Sequence, residues 1–177
     1  PVHRHAHRRR TAAGAARPHD PVLLPLSNAV HHHQLAADAL ASPHSALIVT
    51  SAEALRALAD IGSPAQIDRN IRLFAVGEKT AAAARSAGFV NIHTGHGDGA
   101  GLADLIASKL ENPAPPPLYL AGKPRAGSLE IRLEDLHLSV RVAEIYEMIP
   151  VDYRPEEIDE RLRSRPPHAV LLYSREN

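Results

Sequence analysis

The 177-residue chain contains no cysteine. It can build no disulfide framework, carries no thiolate nucleophile and offers no cysteine ligand to a metal, so an intracellular, cytoplasmic setting is the simplest expectation. An excess of either charge is missing as well: 20 basic side chains balance 20 acidic ones, for a formal net charge of +0. No overall field draws the chain to nucleic acid or to an anionic membrane surface, and an anionic ligand has to be held by local groups. Long apolar runs are also lacking. None approaches the roughly 20 residues of a membrane span, and the N-terminus has no apolar signal-peptide core. What is present is ordinary for a soluble globular protein: 44% hydrophobic and 23% charged residues. The length suffices for one domain or two small ones.

The most telling stretch is residues 72–89, RLFAVGEKTAAAARSAGF. Leu73, Phe74, Ala75 and Val76 predict a buried strand, Gly77 breaks it, and the alanine-rich run from Thr80 to Ala87 predicts a helix that Gly88 caps. Strand, turn and helix make half of a βαβ unit. In open α/β sheets such turns line a crevice at the carboxyl ends of the strands, where the free N–H groups of a helix start attract anions.

The same pattern recurs on both sides. Leu47, Ile48 and Val49 predict a strand; Thr50 and Glu53 have the spacing of a capping box, and Leu55, Leu58 and Ile61 give the following helix an apolar face. A short strand over residues 90–93 leads through TGHGDGAG to a helix bearing Leu102, Leu105, Ile106 and Leu110, with Asp98 as its cap. The segment NPAPPP over residues 112–117 can only be extended loop. Residues 118–121 predict another strand, Gly122, Lys123, Pro124 and Arg125 a turn, and Leu129 and Leu133 one face of a helix. Alternation of Leu138, Val140 and Val142 starts a longer strand towards Ile149. Pro155 opens a helix with Glu156 and Glu157 in its first turn and Arg161, Arg163 and Arg165 near its end, and residues 169–173 predict a strand before Ser174.

These regular βα units run from about residue 44 to about residue 137, which predicts one α/β domain with a parallel sheet. The flanks are fragmentary. Residues 1–20, rich in Arg and His, have no periodicity and stay unassigned; PVLLPLS over residues 21–27 predicts an edge strand because of its internal proline. His31, His32 and His33 come next, followed by a short helix that runs to Leu40. Three successive histidines point in different directions on a helix, which argues against a zinc site and for a solvated surface. The glycines of TGHGDGAG fit neither G-x-G-x-x-G nor the P-loop, so a phosphate cradle of those types is not indicated.

Taken in order, PVLLPLS, LIVTSAEALRAL, LFAVGEKTAAAARSAGF, GDGAGLADLI, LYLAGKPR, VAEIYEMIP and AVLLYSREN resemble the uroporphyrinogen-III synthase family. The resemblance covers about residue 21 to residue 177. It implies two α/β domains, one inserted into the other through a pair of extended linkers, with substrate bound in the cleft between them. On that plan residues 1–20 are an unassigned basic segment and residues 21–30 a fragment of the discontinuous domain with the outgoing linker. Residues 31–143 are the inserted α/β domain, and residues 144–177 the return linker with a second fragment. The family's opening strand, with its Thr-Arg-Pro type turn and helix, does not show in residues 1–20, and the family continues for several βα units past the point where Asn177 stands. The discontinuous domain is therefore expected to be incomplete here, as in a truncated product or gene fragment whose basic start reflects an incorrect reading frame.

The implied activity is closure of hydroxymethylbilane to uroporphyrinogen III, with loss of water and inversion of the last pyrrole ring, in haem biosynthesis. The alternatives are an inactive fragment of that enzyme or a small-anion or nucleotide-binding module. Loss of the terminal hydroxyl gives an azafulvene, which attacks the substituted carbon of the last ring; the spiro intermediate then fragments and recloses. The resemblance implies Tyr146, in the linker, as the proton donor or hydrogen-bonding group. The substrate carries eight carboxylates, which helix-start N–H groups and hydroxyls can bind without a high net charge. Thr50, Ser51, Gly77, Lys79, Thr80, Gly122 and Lys123 lie at such turns, and Ser174 matches a turn in the second half. Thr50 also reads as a helix cap, and Lys79 and Arg125 as solvated surface charges. Neither metal nor cofactor is required, nucleic acid and membrane are not expected as partners, and a monomer is.

Overall fold

A computed structural model describes Pro25, residues 27–61, 67–111 and 113–164, and Pro166. Along the described residues twelve elements follow one another. They are β1 (Ser27–His31), α1 (His33–Ala41), β2 (Leu47–Val49), α2 (Ala52–Ala59), β3 (Leu73–Ala75), α3 (Glu78–Ser86), β4 (Ile92–Thr94), α4 (Gly99–Lys109), β5 (Leu118–Lys123), α5 (Ser128–Asp135), β6 (Arg141–Pro150) and α6 (Pro155–Ser164). Residues 1–24, the strand expected over residues 169–173, Arg165 and Ser174 lie outside the described residues.

The strands form a six-stranded sheet in the order β1-β6-β5-β2-β3-β4. All neighbours are parallel except β1, which runs antiparallel to β6. Leu47 stands opposite Leu73 on one side and Leu118 on the other, and Ile48 opposite Phe74 and Tyr119. Strands covered on both faces need apolar side chains at every position, which is why LIV and LFA read as unbroken runs. Leu47, Val49, Leu73, Ala75, Leu118 and Leu120 point to a core closed by α1, α2 and α3. Ile48, Phe74, Tyr119 and Ala121 point the other way, onto α4 and α5. The pleat thus sorts alternate residues into two apolar layers.

The α3 segment follows its sequence closely. Ala81 and Ala84 are fully buried, and their small side chains let the helix sit close to the sheet. Gly88, at φ +90°, donates its N–H to the Arg85 carbonyl, and the Phe89 N–H reaches Ala84. This double bond pattern is a Schellman cap, and it tucks Phe89 under the helix. Val90 is thereby turned outward, so β4 begins at Ile92 and not at residue 90 as the apolar pattern suggested.

Two further boundaries differ from expectation. The described strand at the front end is Ser27–His31, so His31 is a strand residue and α1 starts only at His33. Gly122 and Lys123, read from sequence as a turn, are the last residues of β5. A register shift between Ala121 and Gly122 lets β5 continue beside β6, pairing Gly122 with Tyr146 and Lys123 with Glu147.

Cα packing divides the chain into Ser27–Val151, which holds the whole sheet, and a second unit that includes Pro25 and the residues from Asp152 onward. Within the second unit the Tyr153 hydroxyl donates to the Pro25 carbonyl at 2.9 Å and the Arg161 guanidinium lies over the Tyr153 ring. Glu156 and Glu157 occupy the first turn of α6 and Arg161 and Arg163 its last.

Candidate active site

The chain runs from β2 outward through β3 and β4, then crosses back to place β5 and β6 on the far side of β2. The reversal falls between β2 and β5, and their carboxyl ends diverge into a crevice there. A cleft of about 300 Å³ opens at this point, lined among others by Thr50, Ser51, Tyr119, Gly122, Arg125 and Tyr146.

Thr50 and Ser51 follow β2. The cap of α2 is Ser51, whose hydroxyl accepts the Glu53 N–H at 3.1 Å, and not Thr50 as the sequence spacing suggested. Thr50 falls two residues after Ile48, so the pleat aims it at the same face, and its hydroxyl lies 2.9 Å from that of Tyr119. Glu53 does not reach back to close a capping box; its carboxylate bonds to His31 and Arg56.

Tyr146 enters from β6. The register shift in β5 sets it beside Gly122, and a Cβ on Gly122 would stand 2.5 Å from its phenol oxygen. Both cleft phenols are nearly closed off from solvent, Tyr119 at 3% and Tyr146 at 7% exposure. Burial pushes the Tyr146 pKa above its ordinary value, with the nearby Ser51 hydroxyl acting against that shift and the Glu53 charge adding to it. Burial likewise raises Tyr119, against the hydrogen bond it shares with Thr50. At neutral pH both are un-ionised and able to donate a hydrogen bond.

Arg125 supplies a cation to the cleft, but not a free one. It donates to Glu130 at 2.6 Å and also pairs with Glu144. These hydrogen bonds, Glu130 first and then Glu144, hold its pKa above the usual arginine value. Arg125 is an exposed surface charge, as the sequence suggested, and its ion pairs tie it to α5 and β6. On the opposite rim Asp98 caps α4, accepting the Gly101 N–H at 2.7 Å. Gly99 is packed so closely against α5 that a Cβ there would lie 2.5 Å from the Ser128 hydroxyl oxygen and 2.9 Å from the Leu129 nitrogen. Only glycine lets the starts of α4 and α5 meet in this way.

Of the residues singled out from sequence, Thr50, Ser51, Gly122 and Tyr146 are brought together on the cleft wall. Gly77, Lys79 and Thr80 form the start of α3 at the same sheet edge but do not line that cleft; Lys79 is exposed and Thr80 is buried. Lys123 is exposed, 4.0 Å from Glu147. Tyr119 went unrecognised, because in LYLAGKPR it reads as one more core position of a strand. Its one signal was a polar hydroxyl in an otherwise apolar strand, which needs a partner when buried. Among the described residues no cluster of three or more His, Asp or Glu is arranged to hold a metal ion, and no helix is long and apolar enough to cross a membrane.

The fold defines a doubly wound α/β domain, extended at one edge by an antiparallel strand, with a hydroxyl-lined cleft at the switch point of its sheet. A profile of the family described as Uroporphyrinogen-III synthase HemD matches residues 10–177, and the chain belongs to that family. Solved structures agree in fold. Uroporphyrinogen-III synthetase from Helicobacter pylori is similar with a TM-score of 0.57 and 21% identity, over 85% of this chain and 67% of its own. A mutant uroporphyrinogen III synthase from the extremely thermophilic bacterium Thermus thermophilus is similar with a TM-score of 0.53 and 20% identity, over 81% of this chain and 59% of its own. The chain thus spans roughly two thirds or less of the length of these structures. No curated protein sequence gives a significant match.

Proposed function

We propose that the chain acts as a uroporphyrinogen-III synthase, a lyase that cyclises hydroxymethylbilane with loss of water and inversion of the last pyrrole ring. The observation that carries this reading is the placement of Tyr146, in a member of that family, on the wall of the switch-point cleft beside Thr50 and Ser51. Tyr146 is the candidate catalytic group. With its pKa raised by burial, its role is to donate a hydrogen bond to the departing hydroxyl and stabilise it as it leaves, a task a neutral phenol performs without giving up its proton completely. Most of the rate then comes from holding the bilane so that the azafulvene carbon and the substituted carbon of the last ring meet.

Thr50, Ser51, Gly77, Lys79, Thr80, Gly122, Lys123 and Ser174 are the proposed substrate contacts. The starts of α2 and α3 supply N–H groups to pyrrole carboxylates, and Lys79 and Lys123 supply exposed cations at the same edge. β1 and β6, paired antiparallel, serve as the outgoing and returning linkers between this inserted domain and a discontinuous one. A monomer acting in the cytoplasm without nucleic acid fits the balanced charge and the absence of cysteine.

The test is incubation of the chain with enzymatically generated hydroxymethylbilane, followed by oxidation and separation of the isomers. Type III product above the spontaneous background is the expected result. Type I isomer alone overturns the proposal and identifies the chain as an inactive member of its family.

A further inference from the structure

His31 ends β1, and its Cα is the cross-strand partner of Tyr146 in β6. Its ring reaches across to α2. Nε2 lies 2.8 Å from a Glu53 oxygen and Nδ1 lies 2.6 Å from an Asp60 oxygen. A neutral imidazole has one N–H and can donate to one acceptor, whereas ionised carboxylates only accept. Two short contacts to two carboxylates are therefore the geometry of an imidazolium donating from both nitrogens. The His31 side chain is 14% exposed, so this is not a solvated surface histidine as the sequence suggested.

The charges around the ring favour the cation. From α2 it faces Glu53 and Asp60, with Arg56 bound to the other Glu53 oxygen. From the start of α1 the His33 ring meets it edge-on at 6.1 Å, and from β6 it neighbours Tyr146. Burial acts against protonation, but the hydrogen bonds and charges of Glu53 and Asp60 outweigh it, and the His31 pKa is raised. Glu53 also leads to the cleft, since its N–H is bound by Ser51, which lines the cleft together with Tyr146.

We propose that His31 is a positioning residue: its imidazolium clips the β1 strand to α2 through Glu53 and Asp60 and so holds Tyr146 at the cleft wall, and the clip opens when the ring loses its proton. The inference rests on the proposed role of Tyr146 for its catalytic meaning but not for its physical content.

Nuclear magnetic resonance on the whole chain, with histidine nitrogens and tyrosine rings labelled, tests it between pH 5 and 9. Both His31 nitrogens should carry protons at pH 6, and the Tyr146 ring signals should shift with the same midpoint as His31, above the ordinary histidine value, while those of Tyr153 stay still. His31→Gln should abolish that step in Tyr146. His31→Arg, which keeps two donors at every pH, should hold Tyr146 in its low-pH position throughout. A His31 ring with a single proton at pH 6, or a Tyr146 signal indifferent to the titration, overturns the clip, and both readings come from the unsubstituted protein. Turnover of hydroxymethylbilane is measured separately. If the chain is active, kcat should fall with the His31 midpoint and lose that pH dependence in His31→Arg; if it is inactive at every pH, the functional proposal fails while the resonance test still decides the clip.

Discussion

The Tyr146 ring occupies the space that a side chain on Gly122 would need, and a Cβ there would meet the phenol oxygen at 2.5 Å. Gly122→Ala must therefore push the ring from the cleft wall or strain β5. Overpacking of this kind costs about 1–3 kcal/mol, so a clear drop in melting temperature is expected. The second substitution Tyr146→Ala should recover much of that loss, and a double-mutant cycle that came out additive would separate the two residues.

Tyr146→Phe removes the hydroxyl but leaves the ring on Gly122. Stability should change little, whereas kcat for the type III isomer should fall by roughly 10²-fold, the low end for a positioned proton donor, because the phenol is a weak acid at neutral pH. The KM should be nearly unchanged. Isomer ratios over time check this, since a variant slowed to the spontaneous rate releases type I product.

The two cleft tyrosines should titrate late. Burial raises Tyr146 and Tyr119 above the ordinary value of 10.0. A folded pKa above the unfolded one means that the contribution to stability is complete below pH 10 and is lost as pH rises through the folded values. Phenolate absorbance should show two groups ionising above pH 10, where alkaline unfolding should also begin. Tyr119→Phe should delete one late step and, through loss of the bond to Thr50, cost about 1 kcal/mol in denaturant titration.

Asp98→Ala uncaps α4. The Gly101 N–H loses its acceptor at 2.7 Å, and a cap of this type is worth about 1 kcal/mol. Since Gly99 and Ser128 are in contact, loosening the start of α4 should also increase amide exchange at the start of α5. Exchange confined to α4 would contradict that coupling.

The βα order, the buried strands LIV and LFA, the Gly88 cap and the Asp98 cap were all legible in the sequence, because each depends on neighbours along the chain. Tyr146 was singled out through a resemblance and not through spacing, and the structure puts it on the cleft wall. Thr50 and Glu53 misled for the converse reason. Their spacing is right for a capping box, but Thr50 has a better partner in Tyr119, 69 positions away, and Glu53 has His31. HHH read as surface because a strand ending at His31 could not be told from the start of a helix, and the two carboxylates that receive the ring lie beyond β2.

The sequence by itself determined the local units: apolar alternation and runs set the strands, alanine and apolar periodicity set the helices, and glycine and aspartate set where α3 stops and α4 starts. Only the tertiary structure decided that β5 returns to the far side of β2, that its register slips by one residue at Gly122, and that Tyr119, Tyr146 and Thr50 consequently share one cleft. Those outcomes are settled by which strand edges pair and which buried hydroxyls find partners, energies of contact between segments that no window along the chain contains.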